Sequence, residues 1–78
     1  MLTTKQIQKI LRAWKAECNI THIVLFRYST HGELTVYTDR PGYMIGLHGK
    51  LVYKYTERFK SLDNNFDKIL FIETHGIA

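Results

Sequence analysis

The sequence predicts a single α+β domain of order α-β-β-α-α-β, with a three-stranded mixed sheet and all helices on one face. Three observations predict it. At 78 residues the chain has room for one domain, since domains seldom fall much below ~50 residues. A (β/α)8 barrel, which needs roughly 200 residues or more, is excluded. Hydrophobic spacing moves between a helical period and a strand period along the chain. A helical segment also separates the second strand from the third, and such a crossover normally makes two strands parallel.

The N-terminal segment carries Ile7, Ile10, Leu11, Trp14 and Cys18 at 3.6-residue spacing, the pattern of an amphipathic helix. Thr3 stands three residues before Gln6, a capping-box spacing, and Asn19 is the expected stop. Lys5, Lys9, Arg12 and Lys15 occupy the remaining surface, read as a solvated face. Thr21 to Ser29 contains His22-Ile23-Val24-Leu25-Phe26-Arg27-Tyr28, whose β-branched and aromatic content predicts a strand. Ser29-Thr30-His31-Gly32 has turn chemistry. Glu33 to Asp39 alternates, with Leu34 and Val36 on one face and Thr35 and Tyr37 on the other, so the two segments form a hairpin with one face toward the core. Tyr37 is expected on the open face, with Phe26 or Tyr28 beside it as an aromatic patch.

Arg40-Pro41-Gly42 ends that strand, and Pro41 suits the first turn of a helix. Tyr43-Met44-Ile45 makes at most one helical turn before Gly46-Leu47-His48-Gly49 interrupts it. Lys50 to Leu62 regains helical spacing, with Val52, Tyr55, Phe59 and Leu62 on one face. Ser61 to Asp67 reads as a polar loop. Lys68 to Thr74 is the last strand, and its continuous run Ile69-Leu70-Phe71-Ile72 predicts a central strand buried on both faces. The tail His75–Ala78 is expected to fray.

Composition narrows the class. Hydrophobic residues make up 45% and aromatic residues 13%, too many for a disordered segment. The single Cys18 excludes an internal disulfide framework and a Cys-rich zinc site, so the core must hold by packing alone. Eleven Lys and Arg against seven Asp and Glu give a net charge of +4, which permits a polyanionic partner. No signal-peptide pattern opens the chain. No stretch approaches the ~20 apolar residues of a membrane span, so the cytosol is the expected location and Cys18 a reduced core thiol. His22, His31, His48 and His75 fall on four different elements with no i, i+4 pair, and no metal site is expected.

One segment calls for a reason beyond folding. Two glycines inside a helical pattern each cost ~1 kcal/mol relative to alanine, in a domain with no covalent staple. A helix corner explains one of them. A turn stripped of side chains so that another backbone can approach explains both. The helix that follows begins with unpaired N–H groups at a positive dipole end, where phosphate oxygens are favoured, and Lys50 comes next.

Met44-Ile45, Gly46, Gly49 and Val52 match, position for position, an aliphatic pair, Gly-x-x-Gly, and an aliphatic residue three positions on. The segment Asp39 to Val52 therefore resembles the signature of the K-homology (KH) RNA-binding domain. The Arg40-Pro41-Gly42 lead-in is similar to the bacterial type II form, and α-β-β-α-α-β is the type II order. The resemblance implies a non-catalytic clamp on about four single-stranded nucleotides, with no cofactor. It makes Gly46, Leu47, His48 and Gly49 the backbone clamp and Arg40, Lys50 and Lys54 sources of positive charge. Ile45 and Val52 become the groove floor, and Lys68 and Leu70 the third strand that flanks the bases. The implied partner is single-stranded RNA, with single-stranded DNA as a second option, and a homodimer or larger ribonucleoprotein as the setting. Family turns that bind usually carry Lys or Arg at one of the two middle positions, whereas here these are Leu47 and His48. A KH-shaped protein-interaction or dimerisation module with weak or lost nucleic-acid binding is the alternative.

Overall fold

The computed structural model describes residues 2–21 and 24–74. His22 and Ile23, assigned above to the first strand, and the tail 75–78 lie outside the described residues. The element order is α1 Thr4–Glu17, β1 Leu25–Tyr28, β2 Glu33–Thr38, α2 Pro41–Ile45, a single 3₁₀ turn Leu47–Gly49, α3 Lys50–Leu62 and β3 Lys68–Glu73. The chain is thus a small α+β domain with two long helices, one short helix and a three-stranded mixed sheet.

Thr3 caps α1 as its spacing requires. Its hydroxyl accepts from the Gln6 N–H at 3.1 Å, and the Gln6 side chain accepts from the Thr3 N–H at 2.9 Å. Asn19, just past the helix, takes a positive φ of 60°, a conformation that asparagine tolerates better than most residues. The Cys18 thiol donates back to the Trp14 carbonyl at 3.1 Å, and burial pushes its pKa up, so it is a packed, unreactive thiol.

β2 is the central strand. It pairs antiparallel with β1, Phe26 facing Val36 and Tyr28 facing Leu34, and parallel with β3, Leu34 facing Ile69 and Val36 facing Phe71. This corrects two expectations. β3 is an edge strand, and Leu70 and Ile72 are 40% and 47% exposed. The apolar run is continuous because Ile69 and Phe71 meet the core while Leu70 and Ile72 sit beside Thr35 and Tyr37 on an uncovered face. Phe26 and Tyr28 point inward, in register with Val36 and Leu34, because alternation fixes their side. The outer face therefore carries Leu25, Tyr37, Leu70 and Ile72 rather than an aromatic cluster.

The core lies between the inner sheet face and the helices. Trp14 is fully buried, stacked on Tyr55 at 4.8 Å and edge-on to Phe71 at 5.9 Å between ring centroids. Phe59 stacks on Phe66 at 5.1 Å, and Phe66 on Tyr28 at 6.0 Å. Phe66 is a core residue inside the segment read as a polar loop, and Leu62, read as core, is 47% exposed at the end of α3. That loop is held from both sides. Asp63 accepts from the Leu2 and Asn65 backbone N–H groups and from the Tyr28 hydroxyl, and the hydrogen bond from Asn65 leads in holding its carboxyl below the usual range. Gly32 packs against the same loop. At φ +84° it sits so close that a Cβ would lie 2.0 Å from the Asn65 carbonyl oxygen.

A polar cluster ties the end of α1 to α3. Glu17 accepts from Lys54 at 2.9 Å and from the Tyr55 hydroxyl at 2.7 Å, and Lys54 leads in lowering its pKa. Burial, then Glu17, pushes the Tyr55 phenol up to about 12. An unfolded chain ionises tyrosine near pH ~10. The stabilisation from a neutral Tyr55 is therefore complete below that pH and is lost as pH rises toward the folded-state value. Denaturation midpoints measured against pH should fall steeply over this alkaline range in the wild type, and more shallowly in Tyr55→Phe.

Candidate nucleic-acid interface

The turn after α2 is built by its backbone. Arg40 precedes α2, and Pro41 occupies the first helical position, where its missing N–H costs nothing. Met44 is fully buried, and its carbonyl accepts from Trp14 Nε1 at 2.9 Å. That bond anchors the chain two residues before the turn. Gly46 then adopts φ 79°, ψ 173°, a region open essentially to glycine alone. His48 at φ 56° and Gly49 at φ 74° are both left-handed. The Gly49 N–H donates to the Gly46 carbonyl at 3.1 Å, and the Gly46 N–H to Gly42 at 3.0 Å. α3 starts at the next residue.

The two glycines have different reasons to be glycine. A Cβ on Gly46 would stand 3.0–3.1 Å from Leu51, including its backbone nitrogen, whereas one on Gly49 would meet only a Val52 methyl at 3.8 Å. Gly46→Ala combines forbidden backbone with crowding and is expected to cost ~2–3 kcal/mol. Gly49→Ala carries only the left-handed penalty of ~1–2 kcal/mol. Urea unfolding of the two variants should rank them in that order.

Leu47 is 76% exposed, and His48 is exposed beside it. No acidic residue lies between Arg40 and Thr56, and no side chain caps the N-terminus of α3. The bend is thus bare main chain at a positive helix end, with Lys50 exposed at its far side. Ile45 is half-buried outside the core cluster, while Val52 is half-buried against it. Arg40 lies with its guanidinium 5.5 Å from the centre of the Tyr43 ring.

The remaining sequence-derived residues lie on α3 and β3 rather than in the turn. Lys54 is committed to Glu17 at 2.9 Å. Lys68 pairs with Glu33 at 3.5 Å. Leu70 lies on the outer sheet face, away from the helices. Sequence reasoning missed Tyr43 and Tyr53, which are 54% and 70% exposed. Each flanks the turn on its own helix and offers a ring on which a base can stack. Their signal was available. Tyr53 falls off the apolar stripe of α3, and Tyr43 adjoins the buried Met44 on a helix too short to bury both.

Among the described residues, no group of three His, Cys, Asp or Glu side chains is placed to hold a metal ion. No helix among them is long and apolar enough to cross a membrane. Comparison with protein-family models, with curated proteins and with solved structures finds no match to this chain.

Proposed function

We propose that the chain is a type II KH-like module that binds single-stranded RNA across the Gly46–Gly49 bend. The observation that carries the reading is the bend itself. Two glycine positions hold a side-chain-poor main chain open at the N-terminus of α3, and both middle side chains face solvent. Phosphate oxygens suit that place because helix N–H groups and the dipole favour anions, and the acid-free stretch around it adds no repulsion. The edge position of β3 gives the reading a second support, since a strand with a free edge can hydrogen-bond to bases.

The cations that act are Arg40 and Lys50. Lys54 and Lys68 already have carboxylate partners, so their contribution is reduced. Leu47 adds apolar contact and no charge. The clamp is accordingly weak and depends on few phosphates. Fluorescence titration of a labelled ten-nucleotide RNA against rising salt tests this. A clamp on about three phosphates predicts a log–log slope of about −2 for a single strand. A salt-independent affinity, or no binding at low salt, would contradict it and favour a protein-interaction module. A parallel titration with DNA of the same sequence measures what the 2′-hydroxyl adds.

A further inference from the structure

On the flank away from β1, β3 ends the sheet. Thr38 faces Glu73 in the parallel register, and the Thr74 N–H donates to the Thr38 carbonyl at 2.9 Å. At the other end of the strand the Lys68 N–H reaches the Gly32 carbonyl at 3.4 Å. Successive residues of a strand turn their backbone groups to opposite flanks. Lys68, Leu70, Ile72 and Thr74 therefore bond toward β2, and Ile69, Phe71 and Glu73 turn their N–H and C=O groups to the open edge. Among the described residues, no loop backbone group bonds to these three.

The usual protections of an edge strand are missing. Lys68 to Glu73 contains no proline and no glycine, and its one lysine stands at the first position, held by Glu33 at 3.5 Å. Leu70 and Ile72 are exposed on the outer face. An apolar edge of this kind is a template for another strand.

We propose that a second copy of the chain pairs antiparallel with β3 across a two-fold axis through Phe71, joining two sheets into one of six strands. An axis normal to the sheet keeps each face on its own side, so opposed residues must share a face. With Phe71 opposite itself, Ile69 and Glu73 form the flanking hydrogen-bonded pairs from groups that already face outward. Leu70 opposes the second copy's Ile72, and Ile72 its Leu70, in non-bonded pairs where side chains come closest. An axis at Leu70 sets Asp67 against Glu73 twice, and an axis at Ile72 leaves fewer residues overlapping. Charge selects this edge over β1. The β1 flank borders a cleft that Arg12 and Lys15 line and no aspartate or glutamate does, so self-pairing there gathers like charges, whereas β3 begins on Lys68 and ends on Glu73. The contact is one strand wide, short of the ~1,200 Å² of a stable interface, so association is weak and follows concentration. Base contacts to β3 would use the same groups, so pairing and base contact exclude each other at this edge. The pairing does not rest on what the turn binds.

The test is sedimentation equilibrium of the full chain from micromolar to millimolar concentration, in about 0.15 M salt to screen long-range attraction. The average mass is expected to rise from one copy toward two and no further. Leu70→Lys with Ile72→Lys, both exposed positions, should weaken association at least tenfold with the circular dichroism spectrum still that of a folded chain. Leu70→Glu with Ile72→Glu should do the same. Mixing the two variants should restore association, because each lysine then opposes a glutamate. Glu73→Pro removes an outward N–H without touching the bonds to β2, and should also weaken association. The proposal is overturned if the mass stays at one copy or grows past two. It is also overturned if the lysine variant or Glu73→Pro associates as the wild type does, or if the mixture associates no better than either variant alone.

Discussion

Trp14→Ala is expected to leave no stable domain. The indole is completely buried, stacked on Tyr55 and edge-on to Phe71, so its removal empties the point where α1, α3 and β3 meet. Large-to-small substitution of a buried aromatic costs ~3–5 kcal/mol. Total stability for a chain of 78 residues is roughly 4–12 kcal/mol, and no disulfide limits the unfolded state. Circular dichroism with urea should show either no cooperative transition or a midpoint far below that of the wild type. Trp14→Phe separates packing from hydrogen bonding. It keeps an aromatic ring but leaves the Met44 carbonyl without its 2.9 Å donor, a loss of ~1–3 kcal/mol for a buried acceptor. Because that carbonyl anchors the approach to Gly46, Trp14→Phe should also weaken the proposed RNA binding beyond its effect on stability. A wild-type midpoint for Trp14→Ala would show that the helical layer is held by something other than this contact.

How much of the molecule was legible beforehand follows from which signals are local. The Thr3–Gln6 cap, the Leu34/Val36 alternation and the Lys50 to Leu62 helix depend on residues a few positions apart, and each is found as read. The sheet position of β3 was not legible. Ile69 to Ile72 reads the same whether the outer face is covered by another layer or lies open beside Tyr37 and Thr35, and only the tertiary arrangement distinguishes the two. Phe66 was missed because its neighbours Asp63, Asn64, Asn65 and Asp67 are polar, although one aromatic ring is enough to pin a loop onto Phe59 and Tyr28.

At the candidate site, the Gly-x-x-Gly spacing located the bend, and chain connectivity did the rest. The commitments of Lys54 to Glu17 and of Lys68 to Glu33 could not be seen, because each ion pair joins residues brought together only by folding. Gly32 was read as turn chemistry alone. Its contact with Asn65 is equally non-local, and its glycine requirement comes from packing as well as from its positive φ.

Paired aspartates at the tip of the bend should separate binding from folding. Leu47 is 76% exposed, so its loss empties no core. His48 is left-handed at φ 56°, a conformation aspartate adopts readily. Negative charge near the start of α3 is mildly stabilising. Leu47→Asp with His48→Asp should therefore keep or slightly raise the urea midpoint while opposing any phosphate laid across the turn. The decisive measurement is the affinity of this double variant for the labelled ten-nucleotide RNA at low salt, read beside its unfolding curve. An unchanged fold with affinity at least tenfold weaker is the predicted result. An intact fold that binds RNA as tightly as the wild type would place the nucleic acid somewhere other than the Gly46–Gly49 bend.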